Sequence, residues 1–137
     1  MEKTLLIIKP DAVTRNLIGE IISRVEKARF KIRGMKMVHL KPAEAVKFYA
    51  VHEGKPFLEE LVAFMSSSRV VPMVLEKENA VTDLRKLIGA TNPAKADCGT
   101  VRHDLAIDMG KNSVHGSDSV ENAKIEIEFF FPDSEGK

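Results

Sequence analysis

The run Asn112-Ser113-Val114-His115-Gly116-Ser117-Asp118 sets an imidazole among a glycine and short polar side chains, and eleven residues past the histidine stands Glu126. Histidine's ordinary pKa, about 6.5, leaves one ring nitrogen unprotonated at cellular pH. That nitrogen becomes a nucleophile when a neighbour holds the proton on the other one. The glycine lets a ligand or another part of the chain approach closely. The box therefore reads as a nucleophile's seat. A solitary histidine is more often a satisfied turn or core residue, and the length of this motif is what sets His115 apart. His39, His52 and His103 have no such surroundings and read as structural or surface residues. A hydrolytic triad of Ser117, His115 and Asp118 is disfavoured, because residues this close in sequence do not easily converge in the order a triad requires.

If the chemistry is phosphoryl transfer, donors must surround the phosphates. No glycine-rich phosphate loop is present: Gly110-Lys111-Asn112-Ser113 has only the end of one, and Leu105 stands where its first glycine would be. The cradle would have to come from side chains. Lysines, arginines, hydroxyls and side-chain amides could supply it, and guanidinium forks suit phosphate oxygens. Taken singly, each cation is one of 21 basic residues, balanced by 20 acidic ones to a net charge of +1. Such a balance gives no general attraction to nucleic acid or acidic membranes, so any anion site is local. The single Cys98 forms no internal disulfide, fits a reducing compartment and reads as a surface thiol without a role. The first apolar run, Leu5 to Ile8, is far too short for a membrane span, and the expectation is a soluble, cytoplasmic protein.

The elements that must position these groups follow from periodicity. Thr4 to Ile8 reads as a buried strand with Lys9 at its end. From Gly19, Ile22, Val25 and Ala28 recur near helical spacing, and the helix stops near Phe30. Phe30, Ile32, Gly34 and Met35 to Leu40 read as a second strand. Pro42 starts a helix through Tyr49, and Pro56 another through Met65. Val70 to Leu75 is a third strand in which Pro72 argues for an edge or a bulge. Asn79 caps a helix that buries Val81, Leu84 and Leu87-Ile88, with Arg85 at the border of that face. Gly89 to Gly110 reads as a long loop, and such loops in small domains are usually functional. The tail is ambiguous by pattern, but Asp118-x-x-Glu121 has the form of a capping box and Pro132 a stop, which favours a helix. With four strands and intervening helices, the 137 residues make one α+β domain spanning 1–137.

Together, the box at His115, Lys9-Pro10-Asp11-Ala12-Val13 and Ala90-Thr91-Asn92-Pro93 make the chain closely resemble the nucleoside diphosphate kinase family, from about Thr4 to Phe131. The resemblance implies a ferredoxin-like sandwich, a four-stranded antiparallel sheet with helices packed on one face, a short strand ending at His115 and a helix carrying Glu126. It implies ping-pong transfer from a nucleoside triphosphate, mainly ATP, to a nucleoside diphosphate through phosphohistidine at Nδ1 of His115. Glu126 and Ser117 would orient the ring, and Tyr49 matches a residue whose hydroxyl approaches it. Lys9, Arg85, Thr91, Arg102 and Asn112 match nucleotide-binding positions, and Phe57 matches the aromatic that stacks on the base, although helical pattern alone also allows a core phenylalanine there. Stacking tolerates any base, which fits a broad nucleotide range. Mg²⁺ would be held mainly by the nucleotide's phosphates, with Asp118 touching it through water. The chain departs from the family at His103, where a small residue is usual, beside Arg102. It ends six residues after Phe131, and because longer tails in the family often join subunits, the expected homo-oligomer is a tetramer or a hexamer. The rival reading is a non-catalytic module of the same fold that binds nucleotide or nucleic acid.

Overall fold

The computed structural model describes residues 1–49 and 58–132. Its strands are β1 (Glu2–Ile8), β2 (Lys31–Met35), β3 (Val71–Lys77) and β4 (Val114–Gly116). All neighbours pair antiparallel, in the order β2-β3-β1-β4. The helices are α1 (Pro10–Thr14), α2 (Ile18–Lys27), α3 (Pro42–Phe48), α4 (Leu58–Met65), α5 (Ala80–Ile88), α6 (Val101–Leu105) and α7 (Val120–Phe130), with a 3₁₀ turn at Pro93–Lys95. This is the α+β, ferredoxin-like arrangement expected: central β1 and β3, with β4 beside β1.

Helices cover both faces of the sheet, not one. Alternation along β1 sends Leu6 and Ile8 to a core shared with Ile21 and Val25 of α2 and Leu84 and Ile88 of α5. Leu5 and Ile7 go to a second core with Ala45 of α3, Met65 of α4, and Ile127 and Phe130 of α7. Each fully buried aliphatic here contributes about 1.5–3 kcal/mol. The unbroken apolar run in β1 is the sequence correlate of a strand buried on both faces.

Pro72 lies in an interior strand, between β1 and β2, rather than at an edge. Its carbonyl accepts Lys36 N–H at 3.2 Å on the side where β2 has already ended, and pairing returns only as a bridge between Val38 and Val70. The proline thus forfeits a single ladder bond at an interruption. The bulge falls in the partner strand instead, where the register shifts between Ile32 and Gly34.

Two caps also differ from expectation. Asn79 stands at the start of α5 with left-handed backbone (φ 55°) and makes no side-chain cap; the Glu2 carboxylate accepts Val81 N–H at 2.8 Å instead. Helix α7 is capped by Ser119, whose hydroxyl accepts Asn122 N–H at 3.0 Å, while Asp118 accepts from the Asn122 amide. The stretch read as loop from Gly89 to Gly110 contains the 3₁₀ turn and α6, each too short to show periodicity.

Candidate active site

Strand β4 is three residues long and carries His115 at its centre, paired with Ile7. His115 Nε2 lies 2.9 Å from Glu126 Oε1, and the same oxygen accepts the Ser117 hydroxyl at 2.7 Å. A carboxylate only accepts, so Nε2 carries the proton and Nδ1 the lone pair. Ser117 is itself fixed: its Oγ accepts Leu5 N–H at 3.3 Å and its own N–H donates to Leu5 O at 3.1 Å. Sheet pairing thereby sets the orientation of Ser117, and through Glu126 that of the imidazole. The ring is packed edge-on by Phe48 and Tyr49, at centroid distances of 5.6 and 6.2 Å. Burial, then the Glu126 charge, drives the Tyr49 phenol's pKa far upward, so it stays protonated.

Cations gather at the flanks of the same strand. Arg102 Nη2 donates to Val114 O at 2.8 Å, one residue before the histidine, and its Nη1 to Gly89 O at 3.1 Å. Arg85 Nη1 reaches Gly116 O, one residue after it, at 3.3 Å. Lys9, at the end of β1, donates from Nζ to Asn112 Oδ1 at 2.9 Å, and the Asn112 amide donates to Thr91 O at 3.3 Å. Burial, then the nearby Arg102 charge, lowers Lys9 to about 8, against a smaller upward pull from Asp11. Burial, then Arg85, lowers Arg102 to about 10. Among the described residues, no carboxylate lies within ion-pair distance of Lys9, Arg85 or Arg102. Two buried cations, Lys9 and Arg102, with the exposed Arg85 beside them and only the weaker pull of Asp11 on Lys9 to offset their charge, suit an arriving polyanion.

The structure thus brings together His115, Ser117, Glu126, Tyr49, Lys9, Asn112, Arg102 and Arg85. Thr91 joins through its carbonyl, and the residue itself is exposed. Asp118 is exposed at the rim, next to Ser117. Phe57 and His52 lie outside the described residues. Cys98 and His103 are exposed, as expected of surface residues, and His39 bonds Ser66 O at 2.8 Å. The glycine at 116 makes room for a side chain rather than a ligand: a Cβ there would stand 2.7 Å from Ile88 Cδ1 of α5.

Sequence reasoning gave no role to Asp11, Ser113 or Phe48. Ser113 has left-handed backbone (φ 73°), is fully buried and donates its hydroxyl to Asp11 Oδ2 at 3.3 Å, while its carbonyl accepts Lys9 N–H at 2.9 Å. This clasp joins the chain before β4 to the lysine after β1. The signal for Asp11 was its place in Lys9-Pro10-Asp11; nothing in the sequence marks the conformation of Ser113. Volume alone would misplace the site. A groove of about 540 Å³ runs between Met1–Lys3 and α7, whereas a cleft of about 380 Å³ beside Arg85 is lined by Lys86, Gly89, Lys95 and Thr100.

The family model described as Nucleoside diphosphate kinase matches residues 2–136. Nucleoside diphosphate kinases from Pasteurella multocida (strain Pm70) and Anaeromyxobacter sp. (strain Fw109-5) are 59% and 57% identical, over 98% and 97% of this chain and 97% and 91% of their own lengths. The Aquifex aeolicus nucleoside diphosphate kinase crystal structure superposes with TM-score 0.93 at 43% identity, covering 95% of this chain and 94% of that one. A halophilic nucleoside diphosphate kinase from Halobacterium salinarum, solved in complex with CDP, gives TM-score 0.92 at 41% identity, over 96% and 88%.

Proposed function

The chain belongs to the nucleoside diphosphate kinase family, and from that premise we propose how its residues carry out phosphoryl transfer from a nucleoside triphosphate to a nucleoside diphosphate. His115 Nδ1 attacks the γ-phosphorus of the donor, the bond to the β-phosphate oxygen breaks, and the donor leaves as its diphosphate. The Nδ1–P bond is then attacked by a terminal oxygen of the second diphosphate, which restores the free imidazole. The proton on Nε2 stays in its hydrogen bond to Glu126 throughout, so the positive charge that develops on the ring meets a carboxylate already in place.

The observation that carries this reading is the shared carboxylate oxygen of Glu126, which takes both the Nε2 and the Ser117 contacts and leaves Nδ1 as the only nucleophilic nitrogen. Lys9, Arg85 and Arg102 bind the phosphates, assisted by the Asn112 amide and the Thr91 hydroxyl. Tyr49 buttresses the ring, and Phe57 stacks on the base. ATP is the main donor in this reading. Mg²⁺ fits as a passenger of the nucleotide: among the described residues no set of protein ligands stands at His115, and Asp118 has one carboxylate oxygen engaged by Asn122 and a second available to a metal-bound water. When bound, it neutralises phosphate charge.

The chain acts as a single domain over 1–137 and as a homo-oligomer, tetramer or hexamer, consistent with edge strand β2, its half-exposed last residue Met35 and the half-exposed Met37 just beyond it. No helix among the described residues is long and apolar enough to cross a membrane, and a cytoplasmic setting suits the free thiol. The test is incubation with Mg²⁺ and γ-labelled ATP without acceptor. Acid-labile, base-stable label on His115 that moves to added GDP or dCDP is expected, with no label on His115→Asn. An intact, nucleotide-binding protein that never labels would transfer the reading to the non-catalytic module.

A further inference from the structure

Beside α6 lies a cluster that phosphoryl transfer does not use. Gly99 turns the chain with a left-handed φ of +93°, and the Cys98 sulfur, a ring nitrogen of His103 and a carboxylate oxygen of Asp104 lie within 4.8 Å of one another. The cluster is built, not loose. Thr100 Oγ accepts His103 N–H at 3.3 Å, Gly99 N–H donates to Asp104 Oδ1 at 3.2 Å, and His103 Nδ1 meets the same oxygen at 2.9 Å. Arg24 of α2 donates to Asp104 Oδ2 at 2.9 Å, and its own charge is offset by Glu20, 2.9 Å away. The carboxylate is therefore held by an outer partner in the way ligating carboxylates usually are.

We propose that Cys98, His103 and Asp104 form a binding site for a divalent transition metal, Zn²⁺ by the chemistry of the donors, separate from the magnesium that travels with nucleotide. A thiolate, an imidazole and a carboxylate make a borderline-soft set that zinc accepts and that oxygen-seeking Mg²⁺ and Ca²⁺ do not. Zinc bonds of about 2.3 Å to sulfur and about 2.0–2.2 Å to nitrogen and oxygen place tetrahedral ligand atoms roughly 3.3–3.7 Å apart. The atoms all lie within 4.8 Å, so the widest pair draws in by no more than about an ångström, while His103 Nδ1 and Asp104 Oδ1, 2.9 Å apart, open by a few tenths as their hydrogen bond is exchanged for the metal, adjustments that exposed side chains reach by rotamer change. On binding, the thiol releases its proton to solvent, three protein atoms ligate the metal, and water takes the remaining position. Arg102 is buried, whereas His103 and Asp104 beside it are exposed, so the metal site and the phosphate site occupy different faces of one short helix.

The experiment uses the full-length, tag-free chain, stripped with chelator and free of nucleotide, so its result is independent of the kinase reading. Titration with Co²⁺ is expected to saturate at one equivalent with a thiolate-to-cobalt charge-transfer band, which Zn²⁺ then bleaches by displacement. In competition with a zinc dye, Cys98→Ser and His103→Ala should each weaken zinc binding by at least the roughly 10- to 100-fold that losing even an outer partner costs. Circular dichroism melts of both variants should match the parent, since both side chains are exposed. Absence of the charge-transfer band, or zinc affinity unchanged in His103→Ala, would overturn the site; the latter would mark simple capture by a lone thiol.

Discussion

The two functional parts built on β4 are finished differently. Around His115 the imidazole, the Ser117 hydroxyl and the Leu5 and Ser117 amides all meet acceptors: Glu126 takes the imidazole and the Ser117 hydroxyl, and Ser117 takes and gives a bond to Leu5. Around the cations the accounting stays open. Lys9 and Arg102 are buried, repel one another and are depressed to about 8 and about 10, and the buried Arg102 Nε has no hydrogen-bond partner among the described residues. The proposed nucleophile is preorganised by the protein alone, whereas the proposed phosphate cradle is left with positive charge that a bound phosphate would offset. That division suits transfer chemistry, because the ring must not reorient during the reaction and the cations must gain most when the polyanion binds.

The sharpest way to break this comparison is to remove a cation from the open half. Arg102→Gln should lower kcat by about 10²–10³, the usual cost of losing one preorganised donor to developing charge. It should also erase most of the thermal stabilisation that saturating nucleoside diphosphate gives the parent, about 2.7 kcal/mol at a hundredfold excess over Kd. A variant stabilised by nucleotide as strongly as the parent would show the cradle to be complete without its ligand. On the closed half, Glu126→Gln keeps the shape but removes the negative charge that fixes the Nε2 proton. Steady-state kinetics should show kcat down by about 10²-fold, the lower range for proton-positioning groups, with KM for nucleotide unchanged. A rise in KM alone would place Glu126 in binding instead.

The pH dependence separates the halves again. Lys9 has its pKa lowered from 10.5 to about 8 in the free protein, so the ammonium is fully present only well below pH 8, is half lost at about pH 8 and disappears as pH rises further. Bound phosphate pulls that pKa back up. The alkaline loss should therefore appear in kcat/KM, about tenfold per pH unit above 8 if the charge is essential, and be muted in kcat. Lys9→Arg, which does not titrate in this range, should flatten the limb. A limb that persists in Lys9→Arg would belong to another group.

Much of the closed half was legible in the sequence because its parts are local: a histidine on a short strand, a serine two residues on, just past the strand's end, and a glutamate on a helix that begins a few residues later. The α+β class was legible because Leu5 to Ile8 and the helical spacing of Ile22, Val25 and Ala28 are strong signals, although Ile21 rather than Ile22 is the residue buried with Val25, and the ferredoxin-like arrangement came from the family resemblance. What stayed hidden depends on contacts between distant segments. Two-sided burial of the sheet was implied by the uninterrupted apolar run of β1 but lost to the picture of helices on one face. Helix α6 has only Val101 and Leu105 as apolar markers, too few to show a period; its signal was Thr100, a residue suited to cap it. The cap of α5 comes from Glu2 at the far end of the chain, which no local rule around Asn79 could supply.

The smallest expected effect tests whether the closed half is also structural. Ser117 is fully buried, and its hydroxyl serves two masters, accepting Leu5 N–H and donating to Glu126. Ser117→Ala strands the Leu5 amide in the core beside β4 and leaves Glu126 with the imidazole alone. The amide's loss should destabilise the fold by about 1–3 kcal/mol, read as a lower midpoint in urea with an unchanged slope. Because Glu126 keeps its bond to Nε2, the tautomer survives and kcat should fall less than in Glu126→Gln. If stability is untouched while kcat falls as far as in Glu126→Gln, Ser117 acts on the reacting phosphoryl group directly, and orientation through the sheet is not its role.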